Sequence, residues 1–102
     1  MPIYTIDIAG KKRLATDGVL SAVEFVRKHP EAMTVDVTAK SHIVARQRAA
    51  KLAERIAKLG RIADACEGEE YDEESRTARP LTSVLVYRDG AQANQITPAD
   101  LP

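Results

Sequence analysis

The chain predicts a small α/β (α+β) domain in which a sheet of three to five strands is packed by two helices. Two observations carry this. Apolar and polar residues alternate over 3–8, 33–38 and 81–88, the period of a half-buried strand. Apolar residues recur at helical spacing over 17–29 and 41–66. The expected order is β-(β)-α-β-α(long)-β-β, all in one domain spanning residues 1–102.

In the first strand Tyr4, Ile6 and Ile8 share one face, and Ile3, Thr5 and Asp7 the other. Gly10-Lys11-Lys12 reads as a turn, with Arg13–Thr16 a short returning strand. Thr16 or Asp17 is placed to cap a first helix running to His29 and ended by Pro30. Its apolar stripe reads as Val19, Leu20, Val23 and Val26, and Phe25 falls off it. Met33, Val35 and Val37 alternate against Thr34, Asp36 and Thr38 in a second strand. Leu81–Arg88 is a third. Asp89-Gly90 signals a type I′ hairpin turn, with Ala91–Ile96 returning. The tail 97–102 reads as loose.

Ser41 is placed to cap the long helix. Ala45, Ala49, Leu52, Ile56, Leu59, Ala63 and Cys66 follow one another at spacings of four and three, one continuous seam. The seam carries the helix through Gly60 to about Cys66, although a glycine there costs about 1 kcal/mol and marks a site for a break. A seam of this kind is a core stripe laid on a sheet, and it is also compatible with pairing to a second copy of the chain, a homodimer. Residues 67–80 are polar and acidic and read as a mobile loop.

Charge divides the middle of the chain. Seven cations and one acid lie between Lys40 and Arg61, and seven acids and no cation between Asp64 and Glu74. The formal net charge of zero is a cancellation of two blocks. Blocks of one sign mark contact surfaces more often than folds. Arg48, Lys51, Arg55 and Lys58 fall on one flank of the long helix, three or four residues apart, where like charges repel. They are the candidate partner-binding residues, with Phe25 as an apolar anchor. A plain solvated face, an acidic partner (another protein or this chain's own acidic stretch) and the phosphates of a nucleic acid all fit such a row. The nucleic-acid reading lacks net positive charge and an aromatic stacking platform.

Chemistry is sparse. His29 and His42 stand in no metal-ligand spacing with each other or with Cys66, so neither a metal nor another cofactor is expected. On an unbroken helix, His42 and Cys66 would be about 36 Å apart, too far for a nucleophile and its base. Cys66 on the seam reads as a buried apolar residue. No ordered catalytic pair emerges, and the expectation is a protein that is not an enzyme. A single cysteine, no apolar run of membrane-spanning length and no signal-like N-terminus point to the cytoplasm. The resulting expectation is a small binding protein of the inhibitor, immunity or adaptor type.

Overall fold

In a computed structural model, residues 2–72 and 77–102 are described; for 67–72, 77–79 and Ala93 the backbone alone is considered. The elements are β1 (Tyr4–Ile8), β2 (Lys11–Thr16), α1 (Val19–Lys28), β3 (Met33–Thr38), α2 (His42–Ala57), β4 (Ala63–Asp72) and β5 (Thr77–Val86). Short 3₁₀ turns follow at Ala93–Gln95 and Pro98–Asp100. The five strands form one antiparallel sheet in the order β2-β1-β3-β5-β4. β2 and β3 are both antiparallel to β1, hence parallel to each other, so α1 crosses over β1 to join them. By the same reasoning α2 crosses over β5 to join β3 to β4. The two crossovers share β3 as the central strand.

Alternation decides which side the helices cover. Tyr4 and Ile6 of β1, Met33, Val35 and Val37 of β3, and Val84 and Val86 of β5 are all buried on the helix side. Ala22 and Val26 of α1 and Ala49, Leu52 and Ile56 of α2 close this core from above. The long-helix seam is therefore a core stripe as far as Ile56. The opposite sheet face carries no helix and presents Thr5, Asp7, Thr34, Asp36, Ser83 and Leu85 in register. There the Ser83 hydroxyl donates to Asp36 Oδ1 at 2.8 Å.

β1 and β2 are joined by Ala9-Gly10, both at positive φ (53° and 79°), the backbone a two-residue I′ turn demands. Arg13 is the extra residue of a bulge, because Ile6 pairs Leu14 while Asp7 pairs Lys12.

Several expectations are corrected. α1 is capped at Gly18 without a side-chain bond. Asp17 instead accepts from Ile3 N at 3.0 Å, and Thr16 accepts from Gly18 N at 3.1 Å. Leu20 is 66% exposed, so Ala22 takes its place in the buried stripe. Ser41 does cap α2, accepting from Val44 N at 3.2 Å.

α2 stops at Ala57 rather than near Cys66. Gly60 adopts φ +84°, a left-handed conformation that turns the chain out of the helix at little cost for glycine. Ala63 and Cys66 continue the helical spacing only by coincidence; in β4 Ala63 and Ala65 share one face, and Asp64 and Cys66 the other. The stretch 67–80 is not a loop throughout. β4 runs to Asp72 and β5 begins at Thr77, in an unbroken hairpin register from Ala63↔Val86 to Asp72↔Thr77. The mobility expected at 73–76 lies outside the described residues.

Asp89-Gly90 makes a turn but no hairpin. Ala91 N donates to Arg88 O at 3.1 Å, and within this turn only Gly90 has positive φ, the type II pattern. A type II turn does not match the twist of paired strands, and the expected returning strand is replaced by the 3₁₀ turn at Ala93–Gln95. The tail is anchored at one point, while Thr97, Pro98, Ala99, Leu101 and Pro102 are exposed. Asp100 is fully buried, pairs with Arg88, and accepts from Thr97 N at 3.0 Å in a capping box.

Arg61, directly after the left-handed Gly60 that follows α2, is 6% exposed. Its Nε and Nη2 donate to Tyr87 O (3.0 and 2.8 Å), its Nη1 to Val26 O and His29 O (3.0 and 2.7 Å), and its Nη2 also to Glu31 O (2.8 Å). All five guanidinium protons are used on carbonyls of three segments. Burial pulls the Arg61 pKa below its usual range, while Asp89 and Glu31 act to raise it. The C-terminal carbonyls of α1 add the negative end of a helix dipole.

Two predictions follow from these contacts. Arg61→Met keeps the volume but removes five hydrogen bonds to four backbone carbonyls; the expected loss is about 3–5 kcal/mol in denaturant titration. The Thr97 bond and Arg88 hold the Asp100 carboxyl below the ordinary value, against a burial effect that raises it. The Thr97 amide resonance should therefore titrate with a midpoint below about 3.9, and Arg88→Ala should move that midpoint upward. A depressed carboxylate pKa stabilises the folded tail above the ordinary value, and the contribution is lost as pH falls through the folded one.

Candidate functional site: the basic flank of the second helix

The residues buried on α2 define its floor, and Arg48, Lys51, Arg55 and Lys58 lie to one side of it. Geometry shows which side. The charges of Arg48 and Arg55 reach Tyr4 of β1: burial raises the Tyr4 phenol pKa, and the two guanidiniums act to lower it. Arg48 and Arg55 therefore lie on the side of α2 nearer β1.

The four cations are not equivalent. Arg48 is half-buried and donates from Nη1 to Thr38 O at 3.1 Å, tying α2 to the end of β3. It also walls a groove of about 880 Å³, shared with Lys40 and lined by Ile3, Val44 and Pro80 among others. Lys51, Arg55 and Lys58 are exposed, and among the described residues no ion pair engages them. Glu54, four residues before Lys58, makes no ion pair with it. Arg55 and Lys58 sit at the end of α2, where the helix dipole favours a cation. That offsets part of the repulsion within the row.

Phe25 is not part of this surface. It is half-buried, packs against the core, and stacks on His29 with ring centroids 3.9 Å apart and planes 15° apart. His29 Nδ1 lies 2.8 Å from Phe25 O. The pair lines a shallow groove of about 570 Å³ with Leu14 and Leu20, between α1 and β2, to which α2 contributes no residue. The row and Phe25 are thus two separate surfaces.

Three further residues were not signalled as site features by the sequence. Lys40 and Val44 enter through the groove: Lys40 lies in the β3–α2 connection, which a helix-flank projection does not reach, and Val44 in the first turn of α2. Cys66 is the third, and its expected burial is corrected: it is exposed on β4. Its partner in the ladder is Ser83, which places it on the face without helices. The sequence signal for that placement is its alternation with Ala63 and Ala65, which the helical spacing overrode.

No group of three or more His, Cys, Asp or Glu side chains poised to hold a metal exists among the described residues. Among these residues, no helix is long and apolar enough to cross a membrane. The chain matches no known family model, and no curated protein sequence or solved structure is significantly similar to it.

The orientation of the flank is open to direct measurement. In a spectrophotometric titration Tyr4 should ionise above its ordinary value of about 10. Arg48→Ala removes a charge that favours the phenolate, so the Tyr4 midpoint should rise further. A fall, or no change, would place the guanidinium elsewhere.

Proposed function

We propose that this is a small non-enzymatic binding protein that docks on an acidic surface of a protein partner through the basic flank of α2, in the manner of an inhibitor, immunity-type or adaptor protein. The observation that carries this reading is the continuity of the groove beside Arg48 with three exposed cations along one helix flank. Ile3, Val44 and Pro80 give the groove an apolar floor, and Lys40 and Arg48 stand at its wall. Such a groove suits an apolar or acidic side chain of a partner, with Lys51, Arg55 and Lys58 supplying a charged rim. Phosphate binding needs the cations but has no use for the floor. The open sheet face supports the same choice: it carries Asp7, Asp36 and Asp64, which repel phosphates, and Tyr87 beside Asp64 is buried with its hydroxyl donated to that carboxylate rather than free to stack on a base. The setting we take is the cytoplasm, with Cys66 unpaired.

Lys51→Glu with Arg55→Glu should leave the thermal midpoint within a few degrees, because both side chains are exposed. The same variant should lose partner binding when the native partner is captured on the immobilised wild-type and variant proteins. Salt separates this from the nucleic-acid alternative. Four cations neutralising duplex phosphates give a log–log salt slope of about −3 to −4, and a mixed protein interface gives a shallower one. Unchanged affinity in the double variant would overturn the reading.

A further inference from the structure

The two edges of the sheet are built differently. β2 is blunted: it is short, it bulges at Arg13, and Lys11, Lys12 and Arg13 are all exposed on it. These are the devices by which a sheet edge avoids further pairing. β4 has none of the geometric ones. It is ten residues long, contains no proline, and keeps an unshifted register with β5 along its whole length. Among the described residues no strand of this chain pairs with its outer side.

The direction of its backbone groups can be read from one bond. Tyr87 N donates to Ile62 O at 3.0 Å, so residues 62 and 87 form a hydrogen-bonded pair of the antiparallel ladder. Alternation then directs the amides and carbonyls of residues 64, 66, 68, 70 and 72 toward β5. Those of Ala63, Ala65, Glu67, Glu69 and Tyr71 point outward. Pro80 fits this pattern: it stands opposite Glu69, at a position where the ladder to β4 asks for no donor. β4 thus offers five residues of unpaired backbone at regular spacing.

Charge selects the occupant. β4 carries Asp64, Glu67, Glu69, Glu70 and Asp72 and no cation. A second β4 alongside brings like charges together, and an anionic strand is repelled. We propose that the outer edge of β4 accepts an extended, lysine- or arginine-bearing segment of a partner protein by strand addition, as a sixth strand. Backbone bonds to residues 63–71 hold the segment, and its alternate cations meet the acids of β4. This surface is separate from the basic flank of α2, so the protein has two docking faces of opposite charge.

The probes are labelled (Val-Lys)₄ and (Val-Glu)₄ peptides, read by fluorescence anisotropy on the full chain. (Val-Lys)₄ should bind at least tenfold more tightly than (Val-Glu)₄. Ala65→Pro removes an outward donor without changing any charge or any bond to β5, and should weaken (Val-Lys)₄ at least tenfold. Should that variant lose its fold, the peptide itself supplies the control: N-methylation of alternate residues should abolish binding in one phase and spare it in the other. Bound peptide should also slow hydrogen exchange at the Ala65 amide. Equal binding of both N-methylated phases, or no protection at Ala65, means attraction by charge alone and overturns strand addition. Concentration-dependent self-association that Ala65→Pro removes would make a second copy the occupant and overturn the assignment to a basic segment.

Discussion

The Arg61 guanidinium is the contact on which the arrangement of the remaining parts depends. It lies where α2 has ended and β4 has not begun, and its five donors reach the end of α1, the segment leading into β3 and the end of β5. Each acceptor is a backbone carbonyl, and Val26 O takes the guanidinium in addition to the His29 amide. The desolvation of one charge is offset by geometry that only a planar five-donor group supplies, so lysine is no substitute. The bonds also fix where the helices stop. His29 O lies just beyond α1, with no later turn of helix to satisfy it, and Val26 O is held there by the His29 amide and the guanidinium together.

The fold class was legible because the core is carried by alternation that tertiary structure had no reason to override. Met33, Val35 and Val37 are spaced for a strand and are all fully buried. Ala45 to Ile56 are spaced for a helix and lie on its buried face. Legibility failed where one set of residues satisfied two periods. Ala63 and Cys66 prolong the α2 seam, but 63–66 also alternate as a strand, Ala63 and Ala65 against Asp64 and Cys66, and the hydrogen-bonded ladder of β5 decides between the two. The acids of 67–72 were read as solvated loop because their side chains have nothing to bury. Pairing of their backbone with β5 required no burial. Arg61 itself was counted as one cation of a basic block, since no local pattern distinguishes a buried arginine from an exposed one.

The candidate site was legible in part for the same reason. Spacing on a helix fixes direction, so the flank was legible for the residues that share α2. It could not show that Arg48 turns inward to Thr38 O while Lys51 stays in water. Nor could it show that Phe25 belongs to the α1–β2 groove, which depends on where β2 sits. The charge reversal in mid-chain does have a structural expression. The cations lie on the helix layer and the acids on an edge strand, so a chain of zero net charge has a marked polarity across its body.

The shared central strand has a bearing on how the protein is made. β3 takes its two neighbours from opposite sides of the sequence, β1 some thirty residues earlier and β5 nearly fifty later. During synthesis an emerging chain could assemble β1, β2, α1 and β3, but one side of β3 would stay unpaired until Val86 had left the ribosome. The buried arginine would lack its Tyr87 acceptor until the same moment. Native structure is thus gated by the arrival of the last strand, and a translation pause before β5 would present the naked edge of β3 to whatever chaperone stands at the tunnel exit.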